Sequence, residues 1–190
     1  IMALTKLNAR SASALDATVL TGNLPAISGA SLTGLTSGLT ESDMWVLTAN
    51  ITGDTEPITT FSRVNDDGQA HMGTGMSHSS GNFTFPSTGF WYVQFTASYY
   101  RPQSDGICHL SINTDTTRNE NIARSYEGVP DSNEYSTATI NCLLDITNLA
   151  HGVSFAWTNA GSSGGATSAV ILGADGNNLT TVWFAKLGDT

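Results

Sequence analysis

The sequence predicts an all-β protein: an antiparallel two-sheet jelly-roll sandwich over residues 41–190, preceded by an extended N-terminal arm over residues 1–40. Three observations predict it. From Glu41 onward, short runs of alternating apolar residues are separated by Gly, Asn, Asp and Pro clusters, as in half-buried strands joined by turns. No segment past residue 40 carries a helical period. The first 40 residues are rich in Ala, Ser, Thr, Leu and Gly and include Gly22, Pro25, Gly29, Gly34 and Gly38. Each of these would weaken or break a helix, at about 1 kcal/mol per glycine and about 3 per proline.

Taken in order, the arm repeats Leu-Thr-Gly at Leu20-Thr21-Gly22 and Leu32-Thr33-Gly34. Its apolar residues Leu24, Ile27, Leu32, Leu35 and Leu39 are too few to form a core alone, so they are expected to anchor the arm on sister chains or a larger assembly. Strands are expected at residues 44–51, 83–85, 107–113, 137–146, 153–158, 168–174 and 180–187, with the clearest one starting at Phe90. In that strand Trp91, Val93, Phe95, Ala97 and Tyr99 alternate with Phe90, Tyr92, Gln94, Thr96 and Ser98, and both faces begin with aromatics. An ordinary sandwich strand is polar on one face. Phe90 and Tyr92 facing outward therefore predict a second burial surface, a subunit interface that is also expected to take in Trp183. Turns are expected at Pro86-Ser87-Thr88-Gly89, Asn65-Asp66-Asp67-Gly68, Ser104-Asp105-Gly106, Gly161 to Gly165 and Asp175-Gly176-Asn177-Asn178.

With 7 basic and 16 acidic side chains the net charge is −9, and 12% of residues are charged. Residues 1–40 hold only Lys6, Arg10 and Asp16, so the acidity belongs to the β-rich body. A chain without a basic stripe cannot neutralise phosphates, which argues against nucleic acid and against anionic membrane surfaces. No run approaches the roughly 18 apolar residues of a membrane span. The N-terminus lacks the continuous apolar core of a signal peptide, and the chain reads as soluble and leaderless. Cys108 and Cys142 have no zinc-ligand spacing and both fall on an inward strand register; reduced buried thiols are expected, with a disulfide as the alternative.

Phe83, five residues, Gly89, then Trp91, Val93 and Phe95 at alternate positions resembles the closing half of the signature of the trimeric jelly rolls of complement component one-q heads and tumour-necrosis-factor ligands, in the divergent form found in phage structural proteins. Trp91 and Val93 stand where that pattern usually has Tyr and Phe. His71 and Met76 occupy the upstream positions that want Asn or Asp and an aromatic residue. Leu144 to Asn148 followed by Val153-Ser154-Phe155, and Thr181 to Gly188, resemble the last strands of the family. The arm from Leu20 to Leu35 is similar to low-complexity segments of phage tail-fibre and virion-appendage proteins. Together the resemblances imply a homotrimer on a virion surface, made in the host cytoplasm without an export signal.

No catalytic constellation stands out. Gly75-Met76-Ser77-His78-Ser79 lacks the last glycine of a nucleophile elbow and is expected to be a Ser-rich connecting loop. His71, His78, His109 and His151 show no metal-ligand spacing, and His109 and His151 are expected at the surface or an interface. Arg63 to Gly68 resembles the start of a calcium loop with Arg at its first ligand position, and Asp131, Glu134 and Asp175 are expected to serve turns. Asn50, Asn82 and Asn178 head Asn-x-Thr triplets, expected to be strand-edge residues. Neither a cofactor nor a metal is expected. Surface recognition remains: Tyr99, Tyr100 and Arg101 are expected to lead into a loop, and Tyr126 and Tyr135 to flank the polar stretch 127–134, where they would contact a host glycan or protein. The resulting expectation is a trimeric fibre or appendage head that adsorbs to the host. The alternative is a capsid decoration protein at three-fold positions, favoured by the short chain. In both, the arm binds other virion proteins.

Overall fold

A computed structural model describes residues 38–64, 68–101, 107–115, 117–128, 133–160, 169–173 and 177–190. The chain divides into Ile1–Ser37 and Gly38–Thr190. Leu24, Ile27, Leu32 and Leu35 lie outside the described residues, and Leu39 is exposed.

Twelve strands and no helix are found among the described residues: β1 Ser42–Leu47, β2 Ile51–Thr52, β3 Phe61–Arg63, β4 Ser77–Ser79, β5 Asn82–Thr84, β6 Gly89–Arg101, β7 Ile107–Thr114, β8 Asn121–Gly128, β9 Glu134–Ile146, β10 Gly152–Ala160, β11 Val170–Ile171 and β12 Thr181–Gly188. All strand pairs are antiparallel. In the first sheet β6 pairs along its whole length with β9 on one side, and on the other with β12 and β11 in turn. β12 continues to β1 and β3, and β11 to β2. The second sheet runs β4-β5-β10-β7-β8. The fold is thus the two-sheet antiparallel sandwich that the alternation implies.

The alternation in β6 decides the core. Trp91, Val93, Phe95, Ala97 and Tyr99 point between the sheets, facing Phe155, Trp157, Leu110 and Ile112 from the second sheet. At the centre stands Phe83, whose ring lies 5.2–5.7 Å from those of Trp45, Phe61, Phe155 and Phe184. Phe83 is on β5 and β6 belongs to the other sheet, so the turn 86–88 is a crossover between sheets. Gly89, the glycine of the Phe-x5-Gly spacing, has φ 136°, and a side chain there would strike the Gly188 carbonyl oxygen. The spacing therefore marks the place where β6 begins against the bulge that ends β12.

Three expectations need correction, and one strand, β8, was not expected. The strand at 44–51 is two strands, β1 and β2: Thr48 still follows the β1–β3 register by donating to the Thr60 carbonyl, and the chain then bends at Ala49 before β2. Of 168–174 only Val170–Ile171 pairs as strand, and residues 168 and 174 lie outside the described part. The Ser-rich stretch after Gly75 is strand β4, held by Ser77↔Thr84, His78↔Phe83 and Ser79↔Asn82. β8 is a strand with no apolar alternation: it is an edge, paired only with β7, so hydrophobic periodicity does not reveal it.

Candidate functional site

Residues of even number on β6 share one outer face with odd-numbered residues of β9 and β12. Cross-strand register arranges them in rows. Tyr92 stands between Leu143 and Ala185, Gln94 between Asn141 and Trp183, and Thr96 between Thr139 and Thr181. Met44 of β1 extends the Trp183 row. One end of this face is largely apolar, with the exposed Asp145 opposite Phe90. Phe90 is 38% exposed and Leu143 60%, Met44 and Leu187 are exposed, and Tyr92 and Trp183 meet edge to face at 5.6 Å. The Trp183 indole N–H is satisfied by the Ser42 hydroxyl at 2.9 Å, so the ring can lie on the face without losing a hydrogen bond.

The middle of the face is a chain of hydroxyls and amides. Tyr92 donates to Gln94, Gln94 to Thr96, and Thr96 and Ser98 bond to Thr139 and Thr137 at 3.0 and 3.2 Å. At the far end, about 26 Å along the strand from Tyr92, the Tyr100 and Tyr135 rings pair at 4.9 Å and the Tyr100 hydroxyl donates to Asn133 Oδ1 at 2.7 Å. Tyr135 is 73% exposed.

Phe90, Tyr92 and Trp183, expected at an interface, thus lie together on one outer face. The five residues expected to form a surface patch do not lie together. Tyr99 and Arg101 are buried between the sheets, which corrects their assignment as surface contacts. The reason is parity: β6 continues through Arg101 without a break, so both keep the inward register of Trp91. Tyr100 and Tyr135 meet on the first sheet, whereas Tyr126 lies on strand β8 of the second, 61% exposed and 5.3 Å from the His109 ring. Leu143 was not singled out from the sequence, although its outward place on β9 is legible from the alternation of residues 137–146.

Cys108 is buried and Cys142 half-buried, both on the inward register, and neither is in a disulfide. Burial pushes the Cys142 thiol up to about 11 and raises Cys108 as well, with Arg101 and Trp157 opposing the rise at Cys108. Neither is an activated nucleophile. Asn50 accepts from the Gly173 N–H, and Asn178, at φ 46°, donates to Gln69; the third of the Asn-x-Thr triplets, Asn82, lies in β5. Arg63, at the start of the calcium-loop resemblance, is paired with Asp43 at 3.1 Å. Among the described residues no three His, Cys, Asp or Glu side chains converge as a metal site would require. Arg118 and the Gly152 N–H hold Asp115 in a turn; these bonds outweigh its burial and keep the carboxyl down at about 2.

His78 sits 4.4 Å from the Phe83 ring, with Trp45 and Phe61 against its edges and Nε2 buried without a partner. Burial lowers its pKa below 6.5, and burial followed by Arg124 does the same for His109. As pH falls below about 6.5 the unfolded chain takes up these protons before the folded one, so stability present above that pH is lost on the acid side. Urea midpoints are expected to drop between about pH 7.5 and about pH 5.5, and the drop should shrink in His78→Phe. An unchanged slope in the variant would remove His78 from this account.

No known family model matches the chain, and no curated protein sequence does. Solved structures do. Eiger TNF from S. frugiperda superposes with a TM-score of 0.57 at 10% identity, over 80% of this chain and 96% of that one. Murine APRIL at pH 5.0 gives 0.56 at 12%, over 77% and 98%. The globular domain of zebrafish complement 1qA protein gives 0.51 at 12%, over 80% and 99%. The described part therefore shares the jelly-roll fold of these structures.

Proposed function

We propose that the chain is a homotrimeric phage virion protein, neither enzyme nor nucleic-acid binder, whose jelly roll is the head of a fibre or appendage and contributes to host-surface adsorption. The observation that carries the trimer is the largely apolar end of the outer face formed by Phe90, Tyr92, Leu143 and Trp183, set against a middle of hydroxyls and amides. The tumour-necrosis-factor-like fold supports it. The phage reading is supported by the fibre-like composition of the arm, and adsorption by the exposed aromatics Tyr126 and Tyr135. Three linked copies of a weak contact gain avidity.

Light scattering should give the mass of three chains. Phe90→Arg with Leu143→Arg should convert the trimer to monomer with unchanged circular dichroism, because both side chains are exposed in the single chain. A monomeric unsubstituted chain would overturn the assembly. Counting copies in purified particles separates the positions on the virion: a handful places the chain on a fibre or appendage, hundreds make it a capsid decoration protein, and none removes it from the virion. Pre-incubating host cells with the trimer should block adsorption of the phage; no competition at saturation would overturn the receptor role.

A further inference from the structure

The outer face of the second sheet is built differently from that of the first. Across it, Glu56 stands beside Ala156, one residue on from the Thr55–Trp157 bridge, and Ala156, Ser111 and Arg124 follow in register. The neighbouring rows are Ser154 with Asn113, and Thr158, His109 and Tyr126. The centre is thus a floor of short side chains, Ser111, Ser154 and Ala156, between longer ones that lean over it. Glu56 accepts from Asn113 Nδ2 at 2.7 Å, and Arg124 Nε donates to the Ser111 hydroxyl at 3.2 Å. Asn113, 1% exposed, keeps a buried Oδ1 with no partner, and His109 keeps a buried Nδ1 with none. Two buried polar atoms left unmade in the rows on either side of the Ser111 row are costly unless something else bonds to them. Beside them the Tyr126 ring offers an open aromatic surface.

We infer that this face is a binding site for a neutral saccharide. The inference rests on the adsorption reading and names the ligand class for it. The face presents an acceptor (Glu56), a donor (Arg124), an imidazole and a ring, with the unpartnered Asn113 Oδ1 buried beneath them; that mixture suits a polyhydroxylated ligand, whose vicinal hydroxyls match a carboxylate and a guanidinium and whose apolar ring face suits tyrosine. Acidic ligands are disfavoured because two carboxylates, Asp54 and Glu56, act on His109 against one guanidinium, Arg124. A protein partner would want an apolar anchor pocket at the centre, and here the centre is serine and alanine.

Saturation-transfer NMR of the full chain with the methyl glycosides of glucose, galactose, mannose, rhamnose and N-acetylglucosamine, with sialyllactose as the acidic control, tests the site. At least one neutral glycoside should bind and sialyllactose should not. Tyr126→Ala and Glu56→Gln should each weaken binding roughly tenfold, with thermal midpoints close to that of the unsubstituted chain. Binding by none of the neutral glycosides, equal binding of sialyllactose, or binding indifferent to both variants but lost in Tyr135→Ala would overturn it. The same variants in the adsorption assay separate the two readings. Competition that survives both substitutions overturns this face and leaves adsorption standing. Glycoside binding by a chain that does not compete leaves the face standing and overturns adsorption.

Discussion

Asp43→Ala is expected to cost about 3–5 kcal/mol of stability, read as a lower urea midpoint at fixed protein concentration. Asp43 is on β1 and points inward, 2% exposed, at the end of the sandwich where segment 72–76 crosses β1. Its carboxylate accepts from the Met76 backbone N–H at 2.7 Å, the Trp45 indole at 3.0 Å and Arg63 Nε at 3.1 Å. Arg63 in turn donates to the Met76 carbonyl and lies 4.9 Å over the Trp45 ring. One carboxylate therefore satisfies three donors contributed by β1, β3 and the segment before β4. Removing it leaves a guanidinium without its anion and a buried N–H without an acceptor, and the second loss alone costs about 1–3 kcal/mol. Arg63 is 31% exposed and keeps some water, which favours the lower half of the range. The double variant Asp43→Ala with Arg63→Met should lose less than the two single losses added, by about 1–3 kcal/mol, the signature of direct coupling. Strict additivity would show that the pair holds nothing together.

Phe83→Ala should be as damaging, at about 3–5 kcal/mol. Phe83 is fully buried on β5; three of its ring neighbours come from three strands of the first sheet and a fourth from β10 of its own. Deleting the ring empties the space between Trp45, Phe61 and Phe184 of the first sheet and Phe155 of the second, leaving only the longer direct Phe61–Phe155 and Phe184–Phe155 contacts at 6.0 Å. β-Strands held by backbone bonds cannot collapse far to fill the space. Phe83→Leu should cost less than half as much, since most of the volume is kept. Because assembly and folding are linked in an oligomer, both variants must be compared at one chain concentration. A loss below about 1 kcal/mol for Phe83→Ala would mean that the site relaxes freely.

The two predictions differ in how far they were legible. Phe83 was visible in the sequence as the start of Phe-x5-Gly, and its inward direction follows from alternation. Asp43 was not. An acid in a strand next to Trp45 reads as a surface charge, and Arg63 read as the residue that spoils a calcium loop; nothing local says that they meet across 20 positions. The surface tyrosines show the same division. Tyr100 and Tyr135 are brought together by the β6–β9 register, whereas Tyr126, nine positions before Tyr135 in the chain, ends on the other sheet.

By itself the sequence determined the β class, the inward set on β6, the outward aromatics Phe90 and Tyr92, and the place of Gly89. All of these depend on a period of two residues or on one turn, and the chain carries that information within a few positions. Only the tertiary structure decided that β6 runs on to take Arg101 inside, that Asp43 is paired with Arg63, and that Ser111, Ser154 and Ala156 form the floor of a polar face. Those outcomes depend on which strands lie side by side and which residue stands opposite which. That choice is made by burying the two apolar faces against each other, and it joins side chains tens of positions apart that carry no local mark of their partners.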